Sequence, residues 1–188
     1  MIDYEVEVTN IVASITFPCR IDLEAIKKTF EGAEYIPEKF PGLVLRLDKP
    51  KVSLLIFESG RIVCTGALNL DEVRKTAKKL VRMLKNKGIK LAEPPKIDVQ
   101  NIVTNGSFEG YIDLEYLHSI LPNTTYQTEQ FPGLKYPMDE PKVVFLLFAN
   151  GKFVCAGAKN LEQLNKGIEK MIKILEEKDA LIPRKPEF

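Results

Sequence analysis

A shift of 91 residues lays this sequence on itself without a gap, and this internal repeat limits the folds that the chain can adopt. About 28 of the 66 positions in the range 10–75 are identical to their counterparts 91 residues later. The shared runs include NIV, IDLE and FPGL. The sequence therefore predicts one structural unit built twice, with repeats at residues 1–92 and 93–188. The joint lies at Glu93-Pro94-Pro95, a stiff segment typical of a linker.

Each repeat has the hydrophobic pattern of an antiparallel sheet with two helices. In the first repeat, a strand at Val6–Thr16 and a short helix near Ile21–Phe30 precede three apolar runs separated by turn residues. A long helix closes the repeat, with Asn69 as its N-cap and Gly88 at its end. Strands joined by tight turns indicate an antiparallel sheet, so the predicted fold class is α+β. The three apolar runs are Leu43–Leu47, Val52–Phe57 and Arg61–Gly66.

The long helices have apolar stripes that can pack on one face of this sheet. The stripe positions are Leu70, Val73, Ala77, Leu80 and Leu84 in the first repeat, and Leu161, Leu164, Ile168, Met171 and Leu175 in the second. One parity of strand positions is uniformly apolar and suits that face: Ile11, Ala13, Ile15, Leu43, Leu45, Leu47, Val52, Leu54, Ile56, Ile62 and Cys64.

The opposite parity forms a second face, called the open face below, for which no predicted helix remains. It mixes large apolar groups with hydroxyls, an amide and arginines: Asn10, Val12, Ser14, Phe40, Val44, Arg46, Ser53, Leu55, Phe57, Arg61, Val63 and Thr65. A contiguous exposed apolar surface rimmed by polar groups usually marks a binding site.

Four phenylalanines form two symmetry-related pairs on the open face. If the first hairpin turns at Asp48-Lys49, paired residue numbers sum to about 97, and Phe40 lies directly across from Phe57. The same reasoning places Phe131 across from Phe148. One such pair would be explained by ordinary cross-strand stabilisation. Two related pairs favour apolar wedges that enter the minor groove of duplex DNA, which is itself pseudo-two-fold.

Composition excludes several other classes of protein. The formal net charge of +1 argues against a purely electrostatic nucleic-acid binder, although wedge binding needs fewer cations. We expect neither a signal peptide nor a membrane span. Cys64 and Cys155 lie in apolar runs and are expected to be reduced core residues of an intracellular protein. The lone His118 is expected to be a surface or packing residue. No catalytic motif is found, so an enzyme is not expected.

At these residues the chain resembles the TATA-box-binding protein family, from about Val6 to Leu175. The motifs that carry the resemblance are QNIV, EKFPGLVLRLDKPK, LLIFESGRIVCTGA, TEQFPGL and LLFANGKFVCAGAKN. The resemblance implies a tandem two-repeat saddle, with one continuous curved antiparallel sheet and two helices per repeat on its convex face. This family is itself an established example of minor-groove wedging. Without a long low-complexity N-terminal extension, the chain is expected to be of the archaeal type, in the cytoplasm and associated with the nucleoid.

The resemblance also implies roles for individual residues, all of them on DNA. The inserting residues are Phe40, Phe57, Phe131 and Phe148. The base-edge residues are Asn10, Val12, Leu55, Val63, Thr65, Asn101, Val103, Leu146 and Val154. The residues that meet the sugar-phosphate backbone are Arg46, Ser59, Arg61 and Lys152. Because A·T pairs present only acceptors in the minor groove, amide and hydroxyl donors suit them.

The second repeat departs from the family pattern. Ala156 stands in place of a threonine, Pro137 in place of the arginine that matches Arg46, and Asn150 in place of the serine that matches Ser59. Lys135 stands where the first repeat has Val44. In the first repeat, Leu68 replaces a lysine. These changes remove donors and charge but leave the inserting residues.

The implied function is that of a general transcription initiation factor that binds and bends A·T-rich promoter DNA. The implied partners are double-stranded DNA, transcription factor B at Glu129 and Gln127, and RNA polymerase indirectly, with no cofactor, metal or membrane. The alternative is a diverged saddle-fold paralogue that binds DNA or a protein partner without a general promoter role. Loss of Asn10 and Asn101 would mark a saddle that binds protein, and both are present.

Overall fold

The computed structural model describes residues 2–184, which contain the elements that the hydrophobic pattern predicts. The first half contains β1 (Tyr4–Thr16), α1 (Leu23–Thr29), β2 (Leu43–Asp48), β3 (Lys51–Ile56), β4 (Arg61–Ala67) and α2 (Leu70–Asn86). The second half contains β5 (Lys96–Phe108), β6 (Tyr111–Ile112), α3 (Leu114–Ile120), β7 (Leu134–Met138), β8 (Val143–Leu147), β9 (Lys152–Ala158), α4 (Leu161–Glu177) and β10 (Leu181–Ile182).

Eight of these strands form one sheet, in the order β2-β3-β4-β1-β5-β9-β8-β7. The chain packs into two compact units: one holds residues 10–100, and the other holds the residues up to Thr9 together with those from Asn101 onward. Within the latter, the Thr9 hydroxyl donates to the Val103 carbonyl at 3.2 Å. The antiparallel pairings β2–β3, β3–β4 and β4–β1 recur as β7–β8, β8–β9 and β9–β5. The α+β class is therefore confirmed, whereas the repeat boundaries at 1–92 and 93–188 stay a prediction.

The predicted apolar face is the buried one. Every strand position assigned to it in the first repeat is at most 6 % exposed, because α1 and α2 supply apolar side chains that fill the space beside the sheet. Large second-repeat side chains, including Phe108, Phe145 and Phe153, occupy the corresponding core, with stacked rings 4.5 Å apart for Phe108 and Phe153. The parity argument therefore divides the sheet correctly into a covered and an uncovered face.

The long helices begin and end where their capping residues predict. The Asn69 side chain accepts from the Glu72 amide, and Asn160 accepts from the Gln163 amide. Gly88 follows α2 with a φ of 79°, in the left-handed region that favours glycine. One stripe position was predicted wrongly: Leu161 is 60 % exposed, since the buried stripe of α4 begins one turn later at Leu164.

The predicted register of the two hairpins was wrong by two residues. Asp48 pairs with Lys51, so the turn consists of Lys49 and Pro50 and paired numbers sum to 99. Continuing this register places Gly42, not Phe40, opposite Phe57. The first strand of each hairpin begins only after FPGL has started, which leaves the leading phenylalanine outside the ladder.

One small sheet was absent from the prediction. β6 pairs with β10, so Leu181 and Ile182 are joined to Ile112 and Tyr111. Two-residue strands are too short to show a periodicity in sequence. This sheet holds the end of the described chain against the second-half unit.

Candidate nucleic-acid interface

The open face of each unit is partly exposed and largely apolar. Its central valines and leucines retain intermediate exposure, and they pair across strands within each unit, Leu55 with Val63 and Leu146 with Val154. Val12 and Val103 show the same intermediate exposure. Ser14 was predicted for this face but is 5 % exposed, and its hydroxyl accepts a hydrogen bond from Gln100 Nε2 at 3.1 Å.

Asn10 and Asn101 are held by equivalent hydrogen bonds in the two units. The Gly66 amide donates to Asn10 Oδ1 at 2.7 Å, and the Gly157 amide donates to Asn101 Oδ1 at 2.7 Å. Since a backbone N–H requires an acceptor, this bond fixes which side-chain atom faces the glycine. The Nδ2 group of each asparagine is thereby left to donate to a ligand.

A β-bulge creates this arrangement. Ile11 pairs with Ala67 and Ala13 pairs with Cys64, so two residues of β4, Thr65 and Gly66, lie opposite the single residue between them. Gly66 has a φ of 99°, and Gly157 in the equivalent bulge has a φ of 102°. An L side chain is strained at such angles, which explains why each bulge carries glycine.

The phenylalanine pairs are in contact although they do not face each other in the ladder. The ring centroids of Phe40 and Phe57 are 6.0 Å apart, and those of Phe131 and Phe148 are 5.7 Å apart, both edge to face. Phe40 remains 46 % exposed and Phe131 remains 42 % exposed. Each unit therefore presents an exposed apolar wedge at the end of its hairpin.

A glycine under each wedge makes room for the two rings. A Cβ added at Gly42 would lie 2.6 Å from Phe40 Cε1 and 3.2 Å from Phe57 Cε1. At Gly133 the equivalent distances to Phe131 and Phe148 are 2.6 and 3.0 Å. The FPGL motif thus supplies both a ring and the gap into which the rings fit.

The cationic residues of the interface are exposed, and two have acidic neighbours. Arg46 Nη1 lies 2.6 Å from Glu34 Oε1. Lys152 shares a surface cavity with Glu5 and Glu7. These three acids were not predicted from the sequence, because none of them stands at a spacing from its cation that predicts a contact. Arg61 is exposed, and its amide hydrogen-bonds weakly with the Ser59 hydroxyl at 3.5 Å.

The two units differ strongly in charge. Residues 10–100 contain 17 Lys and Arg against 11 Asp and Glu, a formal charge of +6. The rest of the chain contains 10 against 15, a formal charge of −5. The chain is therefore near neutrality only because an excess of cations in one unit offsets an excess of anions in the other.

The predicted partner-binding residues lie in the turn before the second wedge. Gln127 and Glu129 are both exposed, and the Phe131 amide donates to the Gln127 carbonyl at 2.9 Å. The equivalent bond in the first repeat joins the Phe40 amide to the Ile36 carbonyl, with Glu38 between them. Glu129 is thus presented on a turn of defined shape beside the open face.

The remaining candidate groups are two buried thiols and one exposed histidine. Cys64 and Cys155 are free and buried, and burial raises the pKa of these thiols to about 11 and about 12. His118 is exposed, with Nδ1 2.8 Å from the Thr124 hydroxyl. Across residues 2–184, no three His, Cys, Asp or Glu side chains group as metal ligands. None of the helices in that range is long and apolar enough to cross a membrane.

The fold and the open face define a class of protein. Its sheet is built from two repeats and has helices on one face. In each unit the other face is apolar and uncovered, and it carries an aromatic wedge and an asparagine side chain held by a glycine amide. The chain matches the model of the family described as "Transcription factor TFIID (or TATA-binding protein, TBP)" twice, at residues 5–87 and 96–178. The chain belongs to this family.

Individual relatives agree over nearly the whole chain. The TATA-box-binding protein of Sulfolobus acidocaldarius is 42 % identical over 178 residues, covering 95 % of this chain and 90 % of that protein. That of Thermococcus kodakarensis is 40 % identical over 188 residues, covering 100 % and 98 %. The solved structure of Methanococcus jannaschii TBP gives a TM-score of 0.87 at 42 % identity, covering 92 % of this chain and 99 % of that one. The likeness confirms the predicted fold class and the archaeal resemblance.

Proposed function

We propose that this chain binds the minor groove of A·T-rich duplex DNA through the open faces of its two units. The observation that carries the proposal is the pair of asparagines whose Oδ1 atoms are each occupied by a glycine amide at 2.7 Å. The amide hydrogens that remain are donors, and A·T pairs present only acceptors in the minor groove. A guanine amino group would meet the apolar side chains beside these amides and lose its hydrogen bonds to water.

The aromatic wedges supply the bending that the proposal includes. Architectural minor-groove proteins, of which this family is an established example, insert apolar side chains between base steps at a cost of a few kcal/mol per step. The side chains of Phe40 and Phe131 are 46 % and 42 % exposed, and burial of their rings against unstacked bases offsets this cost. We assign Phe40 with Phe57, and Phe131 with Phe148, to the two ends of the bound site.

A fluorescence anisotropy titration tests the proposal directly. An A·T-rich octamer within a labelled duplex is compared with a G·C-rich octamer in the same flanks. We expect at least about 100-fold tighter binding of the A·T-rich duplex, which corresponds to about 2.7 kcal/mol. Equal affinity for both duplexes would contradict minor-groove reading and favour a paralogue without a promoter role.

The proposal also predicts a modest dependence of affinity on salt. Only a few cations, chiefly Arg46, Arg61 and Lys152, stand where the backbone of the DNA would lie, and each neutralised phosphate contributes about −0.9 to the slope of log K against log salt. We therefore expect a slope of about −3 between 50 and 200 mM KCl. A slope near −9, as for about ten phosphate contacts, would contradict a wedge-driven interface.

We further propose that transcription factor B recognises the second repeat at Glu129, and that it recruits RNA polymerase to the complex. A pseudo-symmetric protein on a pseudo-symmetric site fixes direction only weakly, so another protein must distinguish the two halves. Glu129 is exposed on the turn before Phe131, and Gln127 beside it is uncharged. We therefore expect Glu129 to meet a basic side chain of the factor.

Replacing Glu129 by Lys should leave binding to DNA alone nearly unchanged and should weaken the ternary complex at least about fivefold, because like charges then face each other. The measurement is a gel shift of the preformed DNA complex with purified transcription factor B. Glu38→Lys, at the same position of the first repeat, is the matched control and should have little effect. Equal losses from both variants would rule out this docking site.

A further inference from the structure

Arg184 connects the end of the described chain to the second wedge. Its Nη2 donates to the Asn150 carbonyl at 3.0 Å, and its Cζ lies 5.7 Å from the centroid of the Tyr111 ring. The pairing of β10 with β6 brings the two together, since Tyr111 belongs to β6 and Arg184 follows β10 by two residues. A planar guanidinium stacked on an aromatic ring is held in one orientation.

Asn150 belongs to the turn that separates an inserting residue from a phosphate-binding one. The Phe148 amide donates to the Lys152 carbonyl at 2.9 Å, and the Lys152 amide donates to Asn150 Oδ1 at 3.1 Å. The Arg184 guanidinium therefore rests on the turn whose flanking residues we assign to DNA insertion and to the backbone. One donor contacts Asn150, and a guanidinium has five.

The second repeat keeps only one of the two cations that the first repeat has at the positions assigned to the DNA backbone, since Lys152 matches Arg61 but Arg46 has no cationic counterpart. Pro137 stands where the first repeat has Arg46, and Asn150 stands where it has Ser59. Lys152, the cation that remains, shares its cavity with the carboxylates Glu5 and Glu7. An additional cation at this turn would restore part of the phosphate contact that these replacements remove.

At the equivalent turn of the first repeat, a nearby arginine has its charge balanced by an acid of the turn. Arg20 forms an ion pair with Glu58, the residue that directly follows Phe57. Ala149 takes the place of Glu58 in the second repeat. Among residues 2–184, no acidic side chain lies within ion-pair distance of Arg184, so its charge remains available to a ligand.

We propose that Arg184 binds a backbone phosphate of DNA beside the second wedge. Arg184, near the end of the described chain, thereby replaces a phosphate contact that the second repeat has lost. This inference rests on the proposed function. Charge-assisted hydrogen bonds between guanidinium and phosphate are strong and directional, and Tyr111 and Asn150 hold the group in place before DNA arrives.

The test is the salt dependence of binding to an A·T-rich duplex for wild type, Arg184→Gln, Arg184→Lys and Arg20→Gln. Arg184→Gln removes the charge and keeps an uncharged polar side chain. We expect its slope to be smaller in magnitude by about 0.9, so that its deficit relative to wild type shrinks about 3.5-fold from 50 to 200 mM KCl. Arg184→Lys should keep the wild-type slope, and Arg20→Gln should not alter it.

The outcomes separate this inference from the proposed function. If wild type prefers A·T-rich DNA but Arg184→Gln has the wild-type slope and affinity, Arg184 serves only to anchor the chain end, and the inference fails alone. A lowered melting temperature with an unchanged slope leads to the same conclusion. If wild type shows no preference for A·T-rich DNA, both the proposed function and the inference fail.

Discussion

Replacing Asn101 by Asp is expected to lower the affinity for an A·T-rich duplex by at least about 100-fold without disturbing the fold. The two side chains have the same shape, and an Asp oxygen can still accept the Gly157 amide at the 2.7 Å position. The second oxygen, however, is an acceptor with negative charge where Nδ2 was a donor. Leaving a buried polar group without its partner costs about 1–3 kcal/mol and more where a charge is involved, and 2.7 kcal/mol is about 100-fold in affinity.

Asn160→Asp is the matched control for this substitution. It makes the same change in charge in the same unit, but Asn160 caps α4 by accepting the Gln163 amide, and Asp serves equally well as an N-cap. We expect wild-type binding and unchanged thermal stability for this control. Similar losses of affinity from both variants would indicate a general effect of added negative charge and would contradict the assignment of Asn101 to the base edges.

Replacing Phe148 by Ala is expected to reduce both DNA bending and affinity. Phe148 contacts Phe131 with ring centroids 5.7 Å apart, and together they form the second wedge. Without one ring, less apolar area is buried to offset the free-energy cost of unstacking a base step. We therefore expect a loss of about 10- to 100-fold in affinity. The bend angle, measured by FRET between dyes at the two duplex ends, should decrease.

Tyr116→Ala controls for the removal of an exposed aromatic ring. Tyr116 is 40 % exposed on α3, outside the open face, and its loss should change neither bending nor affinity. Circular dichroism and a melting curve establish that both variants are folded. A folded Phe148→Ala variant that bends DNA as wild type does would show that the wedge assignment is wrong.

Much of the fold follows from local patterns that need no long-range information. The alternation of apolar residues predicts strands β2 to β4, and the caps at Asn69 and Asn160 predict where the long helices begin. The 91-residue repeat then predicts the same elements in the second half. The predicted hairpin register was wrong because register depends on where the turn begins. Lys49-Pro50 rather than Asp48-Lys49 forms that turn. A shift of two keeps every side chain on its face, and the division into buried and open faces therefore survived the error.

The candidate interface was predictable where it depends on strand parity and hidden where it depends on contacts distant in sequence. The alternation of side chains along a strand is enough to place Val12, Val63 and Leu55 on one face. The Gly66 amide that orients Asn10, 56 residues away, requires a bulge whose position is not visible in the pattern. The same holds for the contact between Arg184 and Asn150, which spans 34 residues.

Inosine substitution tests the central claim most directly. An I·C pair presents the major-groove edge of a G·C pair but lacks the guanine amino group in the minor groove. A duplex in which every A·T pair of the bound octamer is replaced by I·C is titrated beside the A·T-rich and G·C-rich duplexes. Minor-groove reading by Asn10 and Asn101 predicts that the I·C duplex binds within a few-fold of the A·T-rich one. Binding of the I·C duplex as weak as that of the G·C-rich duplex would contradict the account.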